Sequence, residues 1–261
     1  MSITYGPINS WRLGTAVGLD LVYSDHTHCT FDCVYCPQSK RSQASSKRHW
    51  YVGISAVECA LRSLAMAKAD CVAFAGRGEP TAASNLAESI DLARAALGLP
   101  VVVATNASLL WRDDVQRDLG KADTVVAKLD AYDEESFQSI NRPVVPCTWN
   151  KVVGGLREFR SGFAGTLVLQ VVLTEVNKPH ARDLAAIARG LNADEVQLCS
   201  RAPWREAQAV SPETDAIHGW FADLNARCVH TDAPSWALIS DLGKIQASHP
   251  NAAVMLMGVH A

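Results

Sequence analysis

Short apolar runs with few charges alternate along the chain with longer stretches of mixed character. Six of these runs are rich in Val, Leu or Ala, as expected of β-strands that are covered on both faces. They cover residues 17–23, 71–75, 101–105, 124–129, 166–173 and 195–199. The pattern therefore predicts six buried strands.

The stretches between these runs are amphipathic and predict helices. They cover residues 55–69, 83–97, 110–119, 148–160 and 180–191. Repeated strand-then-helix units form right-handed crossovers between parallel strands. The order of elements predicts an α/β fold, and either a doubly wound open sheet or a partial (β/α) barrel fits it.

Cysteines and polar residues follow four of the predicted strands. Cys29, Cys33 and Cys36 follow the first strand, the segment 76–80 the second, Asn106 the third and Asp130 the fourth. In both candidate folds, chemistry collects at the carboxyl ends of the strands. The sequence therefore predicts one site at this rim.

The regular alternation weakens after Pro203. Residues 211–225 look helical, with Pro212 at the first helical position, and residues 235–248 form one more helix-like stretch. We predict a core domain over residues 1–205 and a C-terminal elaboration over residues 206–261 that packs on it.

Composition and charge narrow the possible partners and the compartment. The net charge of −3 argues against nucleic acid as the main partner. Lys40, Arg41, Lys47 and Arg48 nevertheless form a basic segment, which is either a solvated loop or a local nucleic-acid patch. We find no secretory signal and no apolar run near the ~20 residues of a membrane span. We expect a cytoplasmic protein without a membrane partner, whose eight cysteines are not a disulfide framework.

Three of the cysteines have the spacing of a metal site, Cys29-x3-Cys33-x2-Cys36. Thiolate-rich ligation suits zinc or an iron–sulfur cluster. A structural zinc site needs four protein ligands, which His26 or His28 could complete. Three cysteines on a four-iron cluster would instead leave one iron open. Zinc in a non-enzymatic module therefore stays as the alternative.

The cysteine segment resembles the CxxxCxΦC signature of the radical S-adenosylmethionine (SAM) superfamily, with Tyr35 at the aromatic position Φ. The resemblance implies that Cys29, Cys33 and Cys36 bind a [4Fe–4S] cluster and that SAM chelates its fourth iron. It also implies that Tyr35 lies beside the cluster near the adenine. Of the two folds, we predict the partial (β/α)6 barrel of the TIM type.

The segment Gly76-Arg77-Gly78-Glu79-Pro80 resembles the GGE motif of the same superfamily. That resemblance implies that Gly76, Gly78 and Glu79 contact the methionyl amino group of SAM. Glycines allow a backbone to approach a ligand closely, and a carboxylate suits an ammonium group. Without the resemblance, the same five residues could be interpreted as no more than a turn.

Two further strand ends complete the predicted SAM site. The segment 105–108 resembles a TNG-type motif, which implies that Asn106 contacts the methionine moiety or ribose of SAM. Ala107 replaces the family's glycine there, so the backbone must be compatible with a Cβ. Asp130 is expected to meet the ribose hydroxyls, since a carboxylate can accept from both. Lys128 is either functional, buried in a pair, or at the surface.

More of the chain resembles one branch of the superfamily. Residues 5–14, 129–131, 140–143 and 175–177 look like the wyosine-synthetase-related radical SAM proteins, over about residues 5–200. That branch includes enzymes that act on tRNA guanosine. Its tRNA-modifying members carry extra cysteines before the radical motif. This chain has none before Cys29, so we do not expect a second cluster.

The resemblance implies an oxidoreductase-type radical reaction. One electron from a flavodoxin- or ferredoxin-type donor would cleave SAM, and a 5′-deoxyadenosyl radical would abstract hydrogen from the substrate. We expect an unidentified small-molecule substrate, with tRNA or a peptide as the alternatives. Cys199 is the candidate catalytic residue, because a thiol near a substrate radical could donate a hydrogen atom. Alternatively, Cys199 could serve only as a small buried apolar residue.

Overall fold

The computed structural model describes residues 3–24, 26–36, 45–200 and 212–228. The strands within these residues form one sheet in chain order. They are β1 (Thr4–Ser10), β2 (Gly14–Leu19), β3 (Cys71–Phe74), β4 (Val101–Thr105), β5 (Thr124–Lys128), β6 (Thr166–Leu173), β7 (Glu195–Ser200) and β8 (Ala226–Cys228). β1 and β2 pair antiparallel, and each later neighbouring pair is parallel. The predicted α/β class is confirmed.

The helices follow the strands as the alternation predicts. They are α1 (Ile54–Leu64), α2 (Leu86–Leu97), α3 (Asp113–Leu119), α4 (Glu134–Ile140), α5 (Trp149–Gly162), α6 (Ala181–Gly190) and α7 (Pro212–Gly219). The prediction missed α4, which is only seven residues long and begins with a capping box between Asp133 and Ser136. It also placed the start of α3 too early, because the buried Leu110 precedes that helix instead of lying in it.

Alternation along the strands separates two apolar layers, as expected where successive side chains point to opposite faces. On β2, Val17 and Leu19 belong to the main core with α1 and α2. Ala16 belongs to a second, smaller cluster, which also contains Ala73 of β3 and Val126 of β5. The helices thus cover one face of the sheet, and the smaller cluster fills its concave side.

Tyr5 of β1 packs into the concave side, and a glycine makes room for its ring. A Cβ on Gly18 of β2 would lie 1.9 Å from the Tyr5 ring. The Tyr5 hydroxyl donates to the carbonyl oxygen of Ala75, just beyond β3, at 2.7 Å. β1 therefore lines one end of the concave face as well as forming an edge of the sheet.

An arginine of β8 bonds to the turn at the opposite edge of the sheet. Arg227 of β8 donates to the carbonyl oxygens of Trp11 and Arg12, in the turn between β1 and β2. Since β1 and β8 are the first and last strands, this contact requires the sheet to curl. The open, curled sheet is the predicted partial barrel.

The sheet continues into the region predicted as the C-terminal elaboration. β8 pairs with β7 in parallel, and α7 begins at Pro212, as the sequence predicts. The boundary at residue 205 and the helix-like stretch 235–248 lie outside the described residues, so the division into 1–205 and 206–261 remains a prediction. Among the described helices, none has the length and apolar character needed to span a membrane.

Arg48, the last residue of the basic segment, is held inside the fold. Its guanidinium donates to the carboxylates of Asp114 and Asp118 and to the carbonyl oxygens of Thr81 and Ala83. The side chain is only 7 % exposed. Arg48 therefore fastens the loop before α1 to α3, and it does not contribute to a solvent-facing basic patch.

Replacing Arg48 with methionine is expected to lower the free energy of unfolding by about 2–3 kcal/mol, because the buried acceptors lose their donor. Since Asp114 is 37 % exposed, the loss is smaller than for a fully buried pair. Urea denaturation measures the change. The exposed Lys47 is the matched control, and Lys47→Met should stay within about 0.5 kcal/mol of the wild type. Equal losses in the two variants would contradict the role given to Arg48.

Candidate functional site

The three-cysteine loop lies over the carboxyl ends of the strands and is fastened to the segment after α4. The amide of Val34 donates to the carbonyl oxygen of Ile140 at 2.9 Å, and the amide of Val144 donates to that of Thr30 at 2.9 Å. These backbone bonds form a short ladder along the cysteine segment. The loop is therefore positioned by residues more than a hundred positions away in sequence.

The glycines of the segment 76–80 are required by contacts within the protein. A Cβ on Gly78 would lie 2.0 Å from the carbonyl oxygen of His28, which also accepts from the amide of Glu79 at 2.9 Å. A Cβ on Gly76 would lie 2.1 Å from Cγ of Asp20, at the end of β2. Both glycines thus let this turn lie directly against the residues that lead into the cysteine loop.

The carboxylate of Glu79 is buried and joins the same turn to the end of β4. It accepts from the hydroxyl of Thr105 at 2.6 Å, from the amide of Asn106 at 2.6 Å and from the hydroxyl of Thr81 at 2.7 Å. Burial raises the pKa of Glu79 above its ordinary value, and these donors oppose that rise. These contacts make Glu79 a link between two strand ends.

Asn106 connects β4 to the first cysteine. Its side-chain amide donates to the hydroxyl of Thr30 at 2.8 Å and to Sγ of Cys29 at 3.5 Å. Its side-chain carbonyl oxygen accepts from the amide of Ser108 at 3.0 Å. The hydrogen-bonding capacity of this side chain is therefore largely directed to the cysteine loop and to its own turn.

Ala107, which replaces the family's glycine, has a left-handed backbone with φ of 63°. This region is allowed for an L-residue but costs it about 1–2 kcal/mol relative to the right-handed helical region. The Ala107 methyl is fully buried in the main core, and this burial offsets part of that cost. A glycine at position 107 would adopt this left-handed conformation without that cost.

Asp130 accepts hydrogen bonds from three parts of the site. Its Oδ2 accepts from the Tyr35 hydroxyl and from the side-chain amide of Asn141, and its Oδ1 accepts from the amide of Val172 at 2.8 Å. Its backbone carbonyl accepts from the Asn177 side chain at 2.8 Å. Asp130 is 1 % exposed. It therefore ties together β5, β6, the cysteine loop and the segment after α4.

Tyr35, at the aromatic position of the cysteine motif, lies between Asp130 and Lys128. The ammonium of Lys128 donates to the Tyr35 hydroxyl at 3.0 Å and lies 4.4 Å from the centre of its ring. Burial, with the nearby Asp130 carboxylate, raises the pKa of the Tyr35 phenol. Of the interpretations left open for Lys128, the structure places it inside the site.

Asn141 is a site residue to which the sequence assigned no role. Its side-chain amide donates to Asp130 at 3.0 Å and to Sγ of Cys33 at 3.6 Å. The only available signal was its place in the segment 140–143, which carries the resemblance to the wyosine-related branch. Arg142, the next residue, is exposed, and its backbone is left-handed with φ of 47°.

Cys199 lies on the concave side of β7 and is fully buried. It forms a small apolar cluster with Trp11, Tyr35 and Val172. The side-chain amide of Gln170 donates to its Sγ at 3.4 Å. Burial raises the pKa of the Cys199 thiol. The structure thus brings Cys199 close to the predicted site, through Tyr35.

The donor set of the cysteine loop fits a multi-iron cluster. Cys29 and Cys33 are each partly buried, and each accepts a side-chain amide hydrogen bond, of the kind that tunes iron–sulfur centres. Burial raises the pKa of Cys33 to about 11, and the charge of Lys128 opposes this rise. Within the described residues, no three His, Cys, Asp or Glu side chains converge to hold a single ion. A cluster whose cysteines bind different irons does not need such convergence.

Comparison with known families identifies the chain. The sequence model described as the radical SAM superfamily matches residues 23–187, which include the cysteine loop and the strand ends through β6. The chain belongs to the radical SAM superfamily. The predicted enzyme class is confirmed, and the cofactors of this class are a [4Fe–4S] cluster and SAM.

Three curated proteins illustrate its relatives. This radical SAM chain is 33 % identical over 171 residues to the UPF0026 protein slr1464 of Synechocystis sp., covering 66 % of this chain and 64 % of that protein. It is 31 % identical over 177 residues to the UPF0026 protein MJ1312 of Methanocaldococcus jannaschii, covering 66 % and 54 %. It is 30 % identical over 248 residues to a protein named GTPase Obg from Brachyspira hyodysenteriae, covering 92 % and 36 %. The chain thus spans less than two thirds of each relative.

Solved structures share the fold at low sequence identity. SuiB of Streptococcus suis, bound to the precursor peptide SuiA, has a TM-score of 0.61 at 15 % identity and covers 84 % of this chain and 50 % of that one. The AdoMet-bound anSMEcpe has a TM-score of 0.60 at 16 % identity, covering 80 % and 63 %. A radical SAM methyltransferase from Sphaerobacter thermophilus has a TM-score of 0.54 at 16 % identity, covering 82 % and 65 %. These likenesses confirm the partial barrel.

Gly78 lies against the residue that leads into the cysteine loop, so a side chain at this position should disturb the loop of this radical SAM protein. Gly78→Ala is expected to displace the His28 carbonyl, to destabilise the fold by about 1–3 kcal/mol and to lower the iron bound per chain. Iron analysis after anaerobic reconstitution measures the effect. Gly53→Ala is the control, because no atom lies within 4 Å of the added Cβ. Wild-type iron content and stability in Gly78→Ala would be evidence against the contact.

Proposed function

We propose that this chain cleaves SAM reductively and removes a hydrogen atom from a small-molecule substrate. Cys29, Cys33 and Cys36 would hold the [4Fe–4S] cluster. The observation that supports this most strongly is the direct bonding of the cysteine loop to two strand ends, through Asn106 at β4 and through Tyr35 to Asp130 at β5. When bound, the cluster and SAM supply a 5′-deoxyadenosyl radical.

Gly76, Gly78, Glu79, Asn106, Asp130 and Tyr35 remain our candidates for the SAM site. Their polar side chains already accept or donate within the protein, notably the two buried carboxylates. We therefore assign Glu79 and Asp130 the task of fixing the backbone turns at their strand ends. The main-chain groups of these turns would contact SAM, and Gly76 and Gly78 would hold their turn in place by packing against Asp20 and His28.

Cys199 is our candidate hydrogen-atom donor to the substrate radical. It lies in one apolar cluster with Tyr35, and its burial favours the thiol form, which carries a hydrogen atom to give. In this step the S–H bond breaks, a C–H bond forms on the substrate, and a thiyl radical remains on Cys199. One electron from a flavodoxin- or ferredoxin-type donor, with one proton, would restore the thiol.

Electrostatics favour a small molecule over tRNA. The chain carries a net charge of −3, and Arg48 of the basic segment is committed to Asp114 and Asp118. Lys40 and Arg41 lie outside the described residues. A peptide is the second candidate, because structures with the same fold were solved with peptides bound.

Transfer of deuterium into 5′-deoxyadenosine tests the substrate class. The reconstituted protein is supplied with SAM, a reductant and one of three deuterated cell fractions: small molecules, tRNA or peptides. A hydrogen abstracted from a substrate carbon leaves its deuterium in 5′-deoxyadenosine, which mass spectrometry detects. We expect enrichment with the small-molecule fraction and none with the other two.

Enrichment from the tRNA or the peptide fraction alone would replace the proposed substrate class while keeping the reaction. 5′-Deoxyadenosine without deuterium from any fraction would contradict hydrogen abstraction from these three classes. Cys199→Ser provides a further comparison: abstraction should continue, whereas delivery of a hydrogen to the product should fall. Equal product formation in this variant and in the wild type would exclude Cys199 as the donor.

A further inference from the structure

We propose that the side-chain amides of Asn106 and Asn141 are hydrogen-bond donors to the Cys29 and Cys33 thiolates, and that together they raise the reduction potential of the cluster. The inference rests on the proposed function, because it requires a cluster on these cysteines. The sequence assigned no role to Asn141 and gave Asn106 a contact with SAM. The proposal makes both of them hydrogen-bond donors to cluster ligands.

The orientation of the Asn106 amide is fixed by three partners. A side-chain NH2 group has two hydrogens, and those of Asn106 are directed to the Thr30 hydroxyl and to Sγ of Cys29. Its oxygen accepts from the backbone amide of Ser108. A flipped amide would place its NH2 against the Ser108 amide and its oxygen against the sulfur. The sulfur therefore faces a donor.

The orientation of the Asn141 amide is fixed in the same way. One hydrogen is directed to Oδ2 of Asp130 at 3.0 Å and the other to Sγ of Cys33 at 3.6 Å. Because a carboxylate oxygen only accepts, a flipped amide would place two oxygens against each other. Asn141 also caps the C-terminal end of α4, where its backbone amide donates to the carbonyl oxygen of Phe137 at 2.9 Å. The donor is thus held by a helix end.

Burial makes both donors effective. Asn106 is 8 % exposed and Asn141 is 3 % exposed, so water screens these contacts weakly. Reduction adds negative charge to a cluster and its sulfur ligands. N–H dipoles that point at the sulfurs favour the more negative state and raise the potential. Since cleavage of SAM needs one electron, the two asparagines would make that electron easier to load.

Redox titration followed by electron paramagnetic resonance tests the proposal. Asn106→Ala and Asn141→Ala are reconstituted beside the wild type, and their midpoint potentials are compared. Each variant should lower the equilibrium constant for one-electron reduction by about tenfold, or about 59 mV. The double variant should show roughly the sum.

Ser108→Ala and Ser139→Ala are the matched controls. Ser108 lies in the Asn106 network, where its hydroxyl is 2.6 Å from that of Thr30, and Ser139 lies on α4 beside Asn141. Within the part of the chain that the structure describes, neither hydroxyl is hydrogen-bonded to a cysteine sulfur. Both controls should keep the wild-type potential.

A second measurement begins with the wild type, so its main result does not depend on the stability of the variants. In wild-type protein with 15N-labelled asparagine side chains, the reduced cluster should show nitrogen couplings. Asn106→Ser and Asn141→Ser should each remove one of them. Wild-type potentials in the alanine variants, or absence of 15N coupling in the wild type, would overturn the proposal while leaving the proposed function intact. A wild-type chain that assembles no cluster would overturn both.

Discussion

Cys33→Ala is expected to reduce 5′-deoxyadenosine formation to the level measured without protein. Cys33 is the middle ligand of the three in sequence. Its Sγ accepts a hydrogen bond from the side-chain amide of Asn141, which also donates to Asp130. Two remaining cysteines cannot hold three of the four irons of the cluster. Anaerobic reconstitution with iron and sulfide, followed by incubation with SAM and dithionite, measures the product by liquid chromatography.

Cys59→Ala is the matched control for this substitution. Cys59 is exposed on α1, and we assign it no role in the site. The control should retain wild-type iron content and activity, and both variants should unfold cooperatively. Substantial 5′-deoxyadenosine from Cys33→Ala, or loss of activity in Cys59→Ala as well, would contradict the assignment of the cluster ligands.

Asp130→Ala is expected to destabilise the protein by about 3–5 kcal/mol, because it removes a carboxylate that three buried donors share. The Tyr35 hydroxyl, the Asn141 amide and the Val172 amide would each lose an acceptor. Lys128 would lose the nearby negative charge. The free energy of unfolding in urea measures the loss, and iron content after reconstitution should fall with it.

Two comparisons make the Asp130 prediction specific. Asp91, on α2, forms an exposed ion pair with Lys121, so Asp91→Ala should cost no more than about 1 kcal/mol. Asp130→Asn keeps the size of the side chain but can satisfy fewer of the donors. Its loss of unfolding free energy should therefore lie between those of Asp91→Ala and Asp130→Ala. If Asp130→Ala were as stable as Asp91→Ala, Asp130 would not organise the site.

The rim of the barrel could be predicted because parallel strands bring their carboxyl ends together. Once the alternation of apolar and amphipathic stretches had predicted parallel strands, Cys29, Glu79, Asn106 and Asp130 had to lie at one edge. The structure places them there, with Asn106 bonded to Glu79 and Cys29, and with Asp130 bonded to Tyr35 of the same cysteine loop. Sequence spacing carried this information, since each residue lies in the segment that follows its own strand.

The partners of these residues could not be predicted from the sequence. Asn141 reaches Cys33 across 108 positions, and Lys128 reaches Tyr35 across 93. Such contacts depend on how the cysteine loop folds over the strand ends and against the segment after α4. No periodicity encodes that path. The sequence predicted the place of Lys128 on a strand, but it could not predict that its side chain contacts Tyr35.

The glycine motif shows a different limit. Its glycines were expected to make room for SAM, and the structure shows that the protein's own atoms already require them. Gly78 lies against the carbonyl of His28, and Gly76 lies against Asp20. A close backbone approach can be predicted from a glycine, but not the atom that approaches.

The missed elements are short or atypical in composition. β1 contains Gly6 and Pro7, residues that a sequence pattern reads as a turn, and Pro is tolerated there because β1 is an edge strand. β8 has only three residues, and α4 only seven. Tertiary contacts, such as the bond from Arg227 to Trp11, stabilise elements that local propensity leaves undecided.

We propose that three cysteines hold a four-iron cluster with one iron open to SAM. Electron paramagnetic resonance of the anaerobically reduced protein, recorded before and after SAM is added, tests this assignment. A cluster signal whose g values change on addition of SAM, and do not change with 5′-methylthioadenosine, which lacks the amino and carboxylate groups of SAM, is the predicted result. A protein without a cluster signal, or with a signal that SAM leaves unchanged, would contradict the claim.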